Sequence, residues 1–236
     1  MEKSNRFISR LFTFLSLSGI KANRQIKRAR ILSSSNHHTE AIRDYSKALE
    51  ISPKNATAYY LRGNARFAIN DFEGAISDLS KAIKLKSNYI EAYYLRGSVY
   101  FQNKEYHLSI LDLEKVLDLD PNYSEALCSL GNTRVQMNDL EGAINDYSKA
   151  IRIEPYDSTL YYNRANVRLQ MNEPNAALQD YNIAIQLQPE FASAYLGRGN
   201  AKLQLGSETG AAIDWNKGEK LKKEQEGTAL VEPIPI

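Results

Sequence analysis

Apolar side chains recur every three to four residues through most of the chain, which is the spacing of one face of an α-helix. Residues 56–89 show the pattern: Tyr60 and Phe67 belong to one such face, and Ala75 and Leu79 begin a second face after a polar break. The spacing is that of a helix and not of a strand, in which every second residue would be apolar. The hydrophobic pattern therefore predicts two amphipathic helices joined by a tight turn.

Short polar residues and prolines mark where the predicted helices begin and end. Asn70-Asp71 and Asn138-Asp139 favour a turn and a helix N-cap, because their side chains accept the first free backbone N–H groups. Pro174 suits the first turn of a helix, where its missing N–H costs nothing. Prolines that disfavour continuation of a helix mark the ends of four units, namely Pro53, Pro121, Pro155 and Pro189.

The predicted helix pair repeats every 34 residues, and three columns of small residues keep the same period. Two helices approach to about 8–10 Å only where the side chains between them are short, so the columns predict the helix crossings. The first column is Gly63, Gly97, Gly131, Ala165 and Gly199. The second is Ala41, Ala75, Ser109, Ala143, Ala177 and Ala211, and the third is Ala48, Ala82, Val116, Ala150, Ala184 and Gly218.

These columns, the closing proline and a large residue ahead of the third column resemble the tetratricopeptide repeat. The large residues are Tyr45, Leu79, Leu113, Tyr147, Tyr181 and Trp215. The resemblance implies an all-α fold, a right-handed α-solenoid of stacked antiparallel helix pairs whose first helices line a concave groove. We place full repeats at residues 56–89, 90–123, 124–157, 158–191 and 192–221, a partial first repeat at 36–55 and a C-terminal tail at 222–236.

The resemblance also implies which side chains line the groove, where the family commonly binds an extended peptide or a helix of another protein. The matching positions are Tyr60, Asn64, Phe67, Tyr94, Phe101, Gln102, Asn132, Gln136, Tyr162, Asn166, Gln170, Asn200 and Gln204. None of these side chains is charged, and each amide offers a donor and an acceptor to a peptide backbone. A mainly structural role for the asparagines is equally open, because asparagine is common in this repeat whatever it binds.

Some relatives bind the acidic C-terminal tails of chaperones with a clamp of Lys, Arg and Asn. Here the positions of the cations carry Tyr60, Tyr94, Cys128, Tyr162 and Leu196. Without cations a bound carboxylate would lose its water and gain no partner, so we do not expect a chaperone carboxylate clamp. The expected partner segment is uncharged.

A column of arginines accompanies a column of aspartates. The arginines are Arg62, Arg96, Arg164 and Arg198, and the aspartates are Asp44, Asp78, Asp112, Asp146, Asp180 and Asp214. We predict that the arginines reach the aspartates between helices. Lysines three residues after Asp44, Asp78, Asp112, Asp146 and Asp214 predict surface pairs as well. Leu130 interrupts the arginine column although Asp146 is kept.

Several classes of function are disfavoured by what the chain lacks. Cys128 is the only cysteine, so no intramolecular disulfide forms and a secreted, disulfide-stapled protein is excluded. His37, His38 and His107 have no metal-ligand spacing, and no glycine-rich phosphate loop follows a strand. We therefore expect no catalysis, no cofactor and no metal. The net charge of +2 gives no indication of nucleic-acid binding.

Residues 1–35 differ from the rest of the chain because they hold eight basic residues and one acidic residue, whereas the remainder holds 22 and 27. Three interpretations are open: a cap on the first repeat, contact with a membrane surface through residues 7–17, or an organellar transit peptide. We predict a protein-interaction scaffold that binds a partner in the groove, located in the cytoplasm or in an organelle. The alternative is a membrane-peripheral assembly factor that docks by its N-terminus and recruits clients through the repeats.

Overall fold

The computed structural model describes the backbone of residues 19–229, which forms twelve helices and no strand. This confirms the all-α solenoid of helix pairs. Helix α1 covers residues 19–34. The others are α2 (His38–Ile51), α3 (Ala56–Ala68), α4 (Phe72–Leu85), α5 (Ile90–Gln102), α6 (Tyr106–Leu119), α7 (Ser124–Gln136), α8 (Leu140–Ile153), α9 (Ser158–Gln170), α10 (Pro174–Leu187), α11 (Ala192–Gln204) and α12 (Glu208–Ala229).

The chain divides into an N-terminal unit, Met1–Pro121, and a C-terminal unit, Asn122–Ile236. In the N-terminal unit α3 packs against α4 and α5 against α6, and successive pairs meet through α2 with α3 and α4 with α5. Helix α1 joins this core, because Ile26 and Ala29 pack with Tyr45 of α2 and Ala58 of α3. The helix before α2 thus packs on it although its sequence lacks the aromatic residues of the other first helices.

The C-terminal unit repeats the arrangement with α7 on α8, α9 on α10 and α11 on α12. Its largest core cluster is built from small columns around one aromatic side chain: Ala165, Ala177 and Ala184 surround Tyr181. Tyr147 has the same position in α8, where it packs with Ala143 and Val167. Small residues beside a large ring fill the space between the helices without voids.

The glycine column lies at helix crossings, as the sequence predicted. A Cβ atom on Gly63 would lie 2.9 Å from Cγ of Leu79, and one on Gly199 would lie 2.6 Å from Cδ1 of Trp215. These distances are shorter than van der Waals contact, so a side chain at either position would force Leu79 or Trp215 to shift. Glycine costs about 1 kcal/mol relative to alanine within a helix, and the close approach of the two helices offsets that cost.

The turns inside the helix pairs share one backbone conformation with positive φ. The residues are Asn36, Asn70, Lys104, Asn138, Asn172 and Gly206, with φ between 60° and 82°. Asparagine and glycine adopt this conformation more easily than other residues, which explains five of the six. The predicted N-caps are confirmed, since Asp71 and Asp139 each accept a backbone N–H at 3.0 Å. Pro174 begins α10 as predicted.

Candidate partner-binding site

The predicted groove residues of the N-terminal unit form a surface that we call the N-terminal face: Tyr60, Asn64, Phe67, Tyr94, Phe101 and Gln102. Its aromatic side chains are half-buried, and Asn64 and Gln102 are exposed. Tyr60 packs on Tyr89 with ring centroids 5.2 Å apart. Phe67 and Phe101 likewise pack on an aromatic residue in the first turn of the following helix. Each of these three rings is therefore held by a neighbouring ring and stays partly accessible.

The predicted residues of the C-terminal unit form the C-terminal face: Asn132, Gln136, Tyr162, Asn166, Gln170, Asn200 and Gln204. Tyr162 is half-buried between two rings, 4.9 Å from Phe191 and 6.1 Å from Tyr181. Gln136, Gln170 and Gln204 are exposed at the ends of their helices. The three glutamines, together with Asn166 and Asn200, are thus the exposed polar groups of this face.

The asparagines of the C-terminal face share a hydrogen bond that the sequence analysis did not foresee. The hydroxyl of Tyr147 donates to Oδ1 of Asn132 at 2.6 Å, and that of Tyr181 donates to Oδ1 of Asn166 at 2.6 Å. The indole N–H of Trp215 donates to Oδ1 of Asn200 at 3.0 Å. Burial raises the pKa of both tyrosines, so their hydroxyls stay protonated and remain donors. The bond orients each amide with its carbonyl oxygen inward.

The N-terminal face lacks this hydrogen bond because leucine replaces the aromatic donor. Leu79 and Leu113 occupy the positions of Tyr147 and Tyr181 on the 34-residue period. Ser98, at the asparagine position, donates instead to the carbonyl oxygen of Tyr94 at 3.0 Å. The sequence held a signal for this difference: asparagine and a donor-bearing aromatic residue occur together in the C-terminal unit, 15 residues apart.

Cys128 lies beside the asparagines and is half-buried. The amide of Asn163 points at its sulfur from 3.7 Å and that of Asn132 from 4.0 Å. Burial raises the pKa of the thiol, and neither amide hydrogen bond offsets this effect. The thiolate is the reactive form of cysteine, so the environment of Cys128 disfavours nucleophilic chemistry.

The predicted contacts between arginines and aspartates are confirmed. Arg62 of α3 donates from Nε and Nη2 to the two carboxylate oxygens of Asp78 at 2.8 and 2.7 Å. Its Nη1 also donates to Oγ of Ser46 in α2 at 2.9 Å, so one side chain joins three helices. The same geometry recurs at Arg96 with Asp112 and Ser80, at Arg164 with Asp180 and Ser148, and at Arg198 with Asp214 and Asn182.

Asp146 shows what happens where Leu130 replaces the arginine. The carboxylate is buried and is contacted by Arg134, while Nζ of Lys149 lies 3.7 Å from Oδ1. Burial raises the pKa of this carboxyl, and the attraction of Arg134 and Lys149 opposes the shift without cancelling it. The serine that receives the third arginine bond elsewhere is replaced here by Glu114. The serine column, missed in the sequence analysis, lies 16 residues before Arg62, Arg96 and Arg164, and Asn182 takes the same position before Arg198.

Only some of the predicted ion pairs between an aspartate and the lysine three residues later are formed. Asp44 and Lys47 are 3.6 Å apart, and Asp146 and Lys149 are 3.7 Å apart. Lys115 instead contacts Asp118 at 3.5 Å. The arginine bonds already hold the aspartates at the helix interfaces, so a surface lysine adds little to them.

The part of the chain that the structure describes contains neither a metal site nor a helix able to span a membrane. Within residues 19–229 no group of acidic, histidine or cysteine side chains has the arrangement of a metal site. None of the helices described is both long and apolar enough to cross a bilayer. The predicted membrane contact of residues 7–17 lies outside the described residues.

The repeats along the chain match known protein-family profiles. The family profile described as TPR repeat matches residues 29–68, 63–104, 131–172 and 165–206, and that described as tetratricopeptide repeat matches residues 90–123. The chain belongs to the tetratricopeptide-repeat family. Proteins of this family are interaction scaffolds. Because this chain has the same repeat architecture, it is a protein-interaction scaffold as well. No curated protein matches the chain in sequence.

Solved structures of other tetratricopeptide-repeat proteins are similar to the chain. The protein YrrB, described as having an unusual peptide-binding site, is 26% identical with a TM-score of 0.62, and the match covers 72% of this chain and 88% of YrrB. The MamA protein is 26% identical with a TM-score of 0.66, covering 76% and 98%. PilF of Pseudomonas aeruginosa is 20% identical with a TM-score of 0.73, covering 91% and 99%, which shows the shared fold alone.

Proposed function

We propose that the chain is a non-catalytic adaptor that binds an uncharged, extended segment or helix of another protein on its first-helix faces. The observation that carries the proposal is the inward orientation of the asparagine carbonyls on the C-terminal face. An amide whose oxygen is already bonded keeps its N–H groups for a ligand. Asn166 and Asn200 therefore offer donors to the carbonyl groups of a peptide, one repeat apart, and Asn132 offers the N–H group that does not point at Cys128.

The orientation also reconciles the two roles that the sequence left open for these asparagines. Tyr181 donates to the carbonyl of Asn166 and ties α9 to α10, which is a structural role. The same bond fixes the direction of the amide group, so a ligand does not have to bear the entropy cost of ordering it. Structural and binding roles thus belong to opposite ends of one side chain.

The remaining side chains of the faces favour an uncharged ligand. Tyr60 and Tyr162 are half-buried by neighbouring rings and offer rigid contact area at little entropic cost. No lysine or arginine occurs among the thirteen predicted groove residues, so an acidic peptide would bury its charge without a partner. The peptide-binding site attributed to YrrB, a similar protein, supports a peptide as the ligand.

The test uses a peptide library displayed on phage, selected against the full chain. The affinity of selected peptides is then measured for a variant with two charges on the C-terminal face, Gln136→Glu and Gln170→Glu. Both glutamines are exposed, so the fold tolerates the change. We expect peptides with few charges, and at least about tenfold weaker binding to this variant, because apolar peptide groups would have to desolvate the new carboxylates.

A matched control places the same charges on a second helix. Gln179 and Gln186 of α10 are exposed, and the variant Gln179→Glu with Gln186→Glu changes the net charge equally. It is expected to bind the peptides as the unmodified chain does. Equal loss in both variants, or selection of mainly acidic peptides, would contradict the proposed ligand and surface.

A further inference from the structure

Helix α1 has a second side that the fold does not use. Its apolar side is buried at Ala22, Ile26 and Ala29. The opposite side, which we call the α1 outer face, consists of Ile20, Lys21, Arg24, Lys27, Arg28 and Ile31, all exposed. Ile20, Arg24, Lys27 and Ile31 follow the spacing of a single helical row, so the two cations lie between two isoleucines. The row is about 16 Å long at the helical rise per residue.

Among the described residues, an acidic side chain compensates the charge of this face only at Arg28. Residues 19–34 contain five basic and no acidic residues. Arg28 lies 3.2 Å from the buried Asp44 and is the only one of the four outer-face cations with an ion pair among the described residues. Lys21, Arg24 and Lys27 therefore keep their full charge for a partner. Such an unbalanced cluster favours an anionic surface.

The two isoleucines distinguish between a nucleic acid and a lipid interface as the anionic partner. Ile20 and Ile31 are each 60% exposed, and neither is needed by the core of the N-terminal unit. A nucleic acid backbone offers phosphates to the cations and nothing apolar to the isoleucines. A lipid interface offers both, because the isoleucines reach the acyl boundary while lysine and arginine extend their charged ends to the headgroups.

We propose that the α1 outer face docks the chain on a membrane surface containing anionic phospholipids. Clusters of lysine and arginine bind such surfaces, each cation strengthening the attraction, and apolar side chains add a second signal. The sequence before α1 continues the basic character with Lys3, Arg6 and Arg10. This contact is independent of the peptide-binding faces, so the two activities are tested separately.

The experiment is flotation of the full chain with vesicles of phosphatidylcholine and phosphatidylglycerol, and with vesicles of phosphatidylcholine alone. The test variant is Arg24→Glu with Lys27→Glu, which reverses two exposed charges that have no partner among the described residues. We expect the unmodified chain to bind only the anionic vesicles and to be released at high salt, which screens the attraction. The variant is expected to bind at least about tenfold more weakly, from the contribution of each cation.

A control variant separates the position of the charges from their number. Lys222→Glu with Lys223→Glu changes two exposed lysines of α12 by the same charge and should leave vesicle binding within about twofold. Circular dichroism checks that all variants keep their helical content. The proposal is wrong if the unmodified chain fails to float with anionic vesicles, as expected for an acidic protein partner. It is also wrong if the α1 variant floats as well as the control, since binding would then come from another part of the chain.

Discussion

The arginine bridges between helices make a prediction that the chain itself helps to calibrate. Arg164 of α9 donates to both oxygens of Asp180 at 2.9 and 2.8 Å and to Oγ of Ser148 at 2.8 Å. The change Arg164→Leu would resemble the arrangement found naturally around Leu130, except that Ile183 occupies the position of Lys149. Asp180 would keep one partner, Nη1 of Arg168 at 2.8 Å, as Asp146 keeps Arg134.

The magnitude follows from the burial of the pair. The side chain of Asp180 is 2% exposed and that of Arg164 is 15% exposed, so water does not replace the lost bonds. Removing one partner of a buried ion pair costs about 3–5 kcal/mol when the other is left alone. Arg168 remains, and a leucine restores apolar contact in place of the arginine stem. We therefore expect Arg164→Leu to lower the free energy of unfolding by about 2–4 kcal/mol.

The assay is urea denaturation followed by circular dichroism, with the slope of the transition compared between variants because stacked repeats do not always unfold in one step. Arg152→Leu is the control: Arg152 is exposed in α8, and its loss should change stability by less than about 0.5 kcal/mol. The double change of Arg164 and Arg168 to leucine should cost clearly more than the single one. A loss below about 1 kcal/mol for Arg164→Leu, or no further loss in the double variant, would refute the reasoning.

Two other predictions compare related sites. Gly131→Ala should destabilise the fold by about 1–3 kcal/mol and Gly97→Ala by less than about 1 kcal/mol, because the new Cβ would lie 2.7 Å from Cε1 of Tyr147 in one case and 3.2 Å from Cγ of Leu113 in the other. Thermal unfolding of both variants checks the order, and an equal effect would contradict it. Asp214 and Asp146 should respond oppositely to pH. Burial by itself raises the pKa of the Asp214 carboxyl. Hydrogen bonds from Arg198 and Lys202 lower this pKa by more than burial raises it, so the pKa lies below its ordinary value. Its charge therefore stabilises the fold above the unfolded pKa of about 4, and this contribution is lost as pH falls through the folded pKa. Burial raises the pKa of the Asp146 carboxyl above its value in the unfolded chain. Its charged form therefore lowers the stability of the fold at pH values above the raised pKa. Urea unfolding at several pH values should show Asp214→Asn costing about 2–4 kcal/mol at neutral pH and less in acid, with a much smaller cost for Asp146→Asn at neutral pH. Equal losses in the two variants would show that the difference in environment does not matter.

The local spacing of residues was enough to predict the repeating part of the fold. Helices, turns and helix crossings depend on residues that are close together in the sequence. The N-cap at Asp71, the helix start at Pro174 and the helix crossing at Gly63 were therefore predictable. The pairing of Arg62 with Asp78 was also predictable, because both columns keep the same 34-residue period. A cap on the first repeat was one of three open interpretations of residues 1–35, and the sequence did not single it out, since α1 lacks the aromatic residues by which the other first helices were recognised.

What the sequence determined by itself is therefore the period, the helix faces and the columns that must meet. The tertiary structure decided which atoms meet: the carbonyl of Asn166 accepts from Tyr181, Arg62 reaches Ser46 on the preceding pair, and Arg28 of α1 reaches Asp44. The physical reason is that periodicity assigns a residue to a face of its own helix. A hydrogen bond also depends on the position and rotation of a second helix, which only the packed small residues and rings establish.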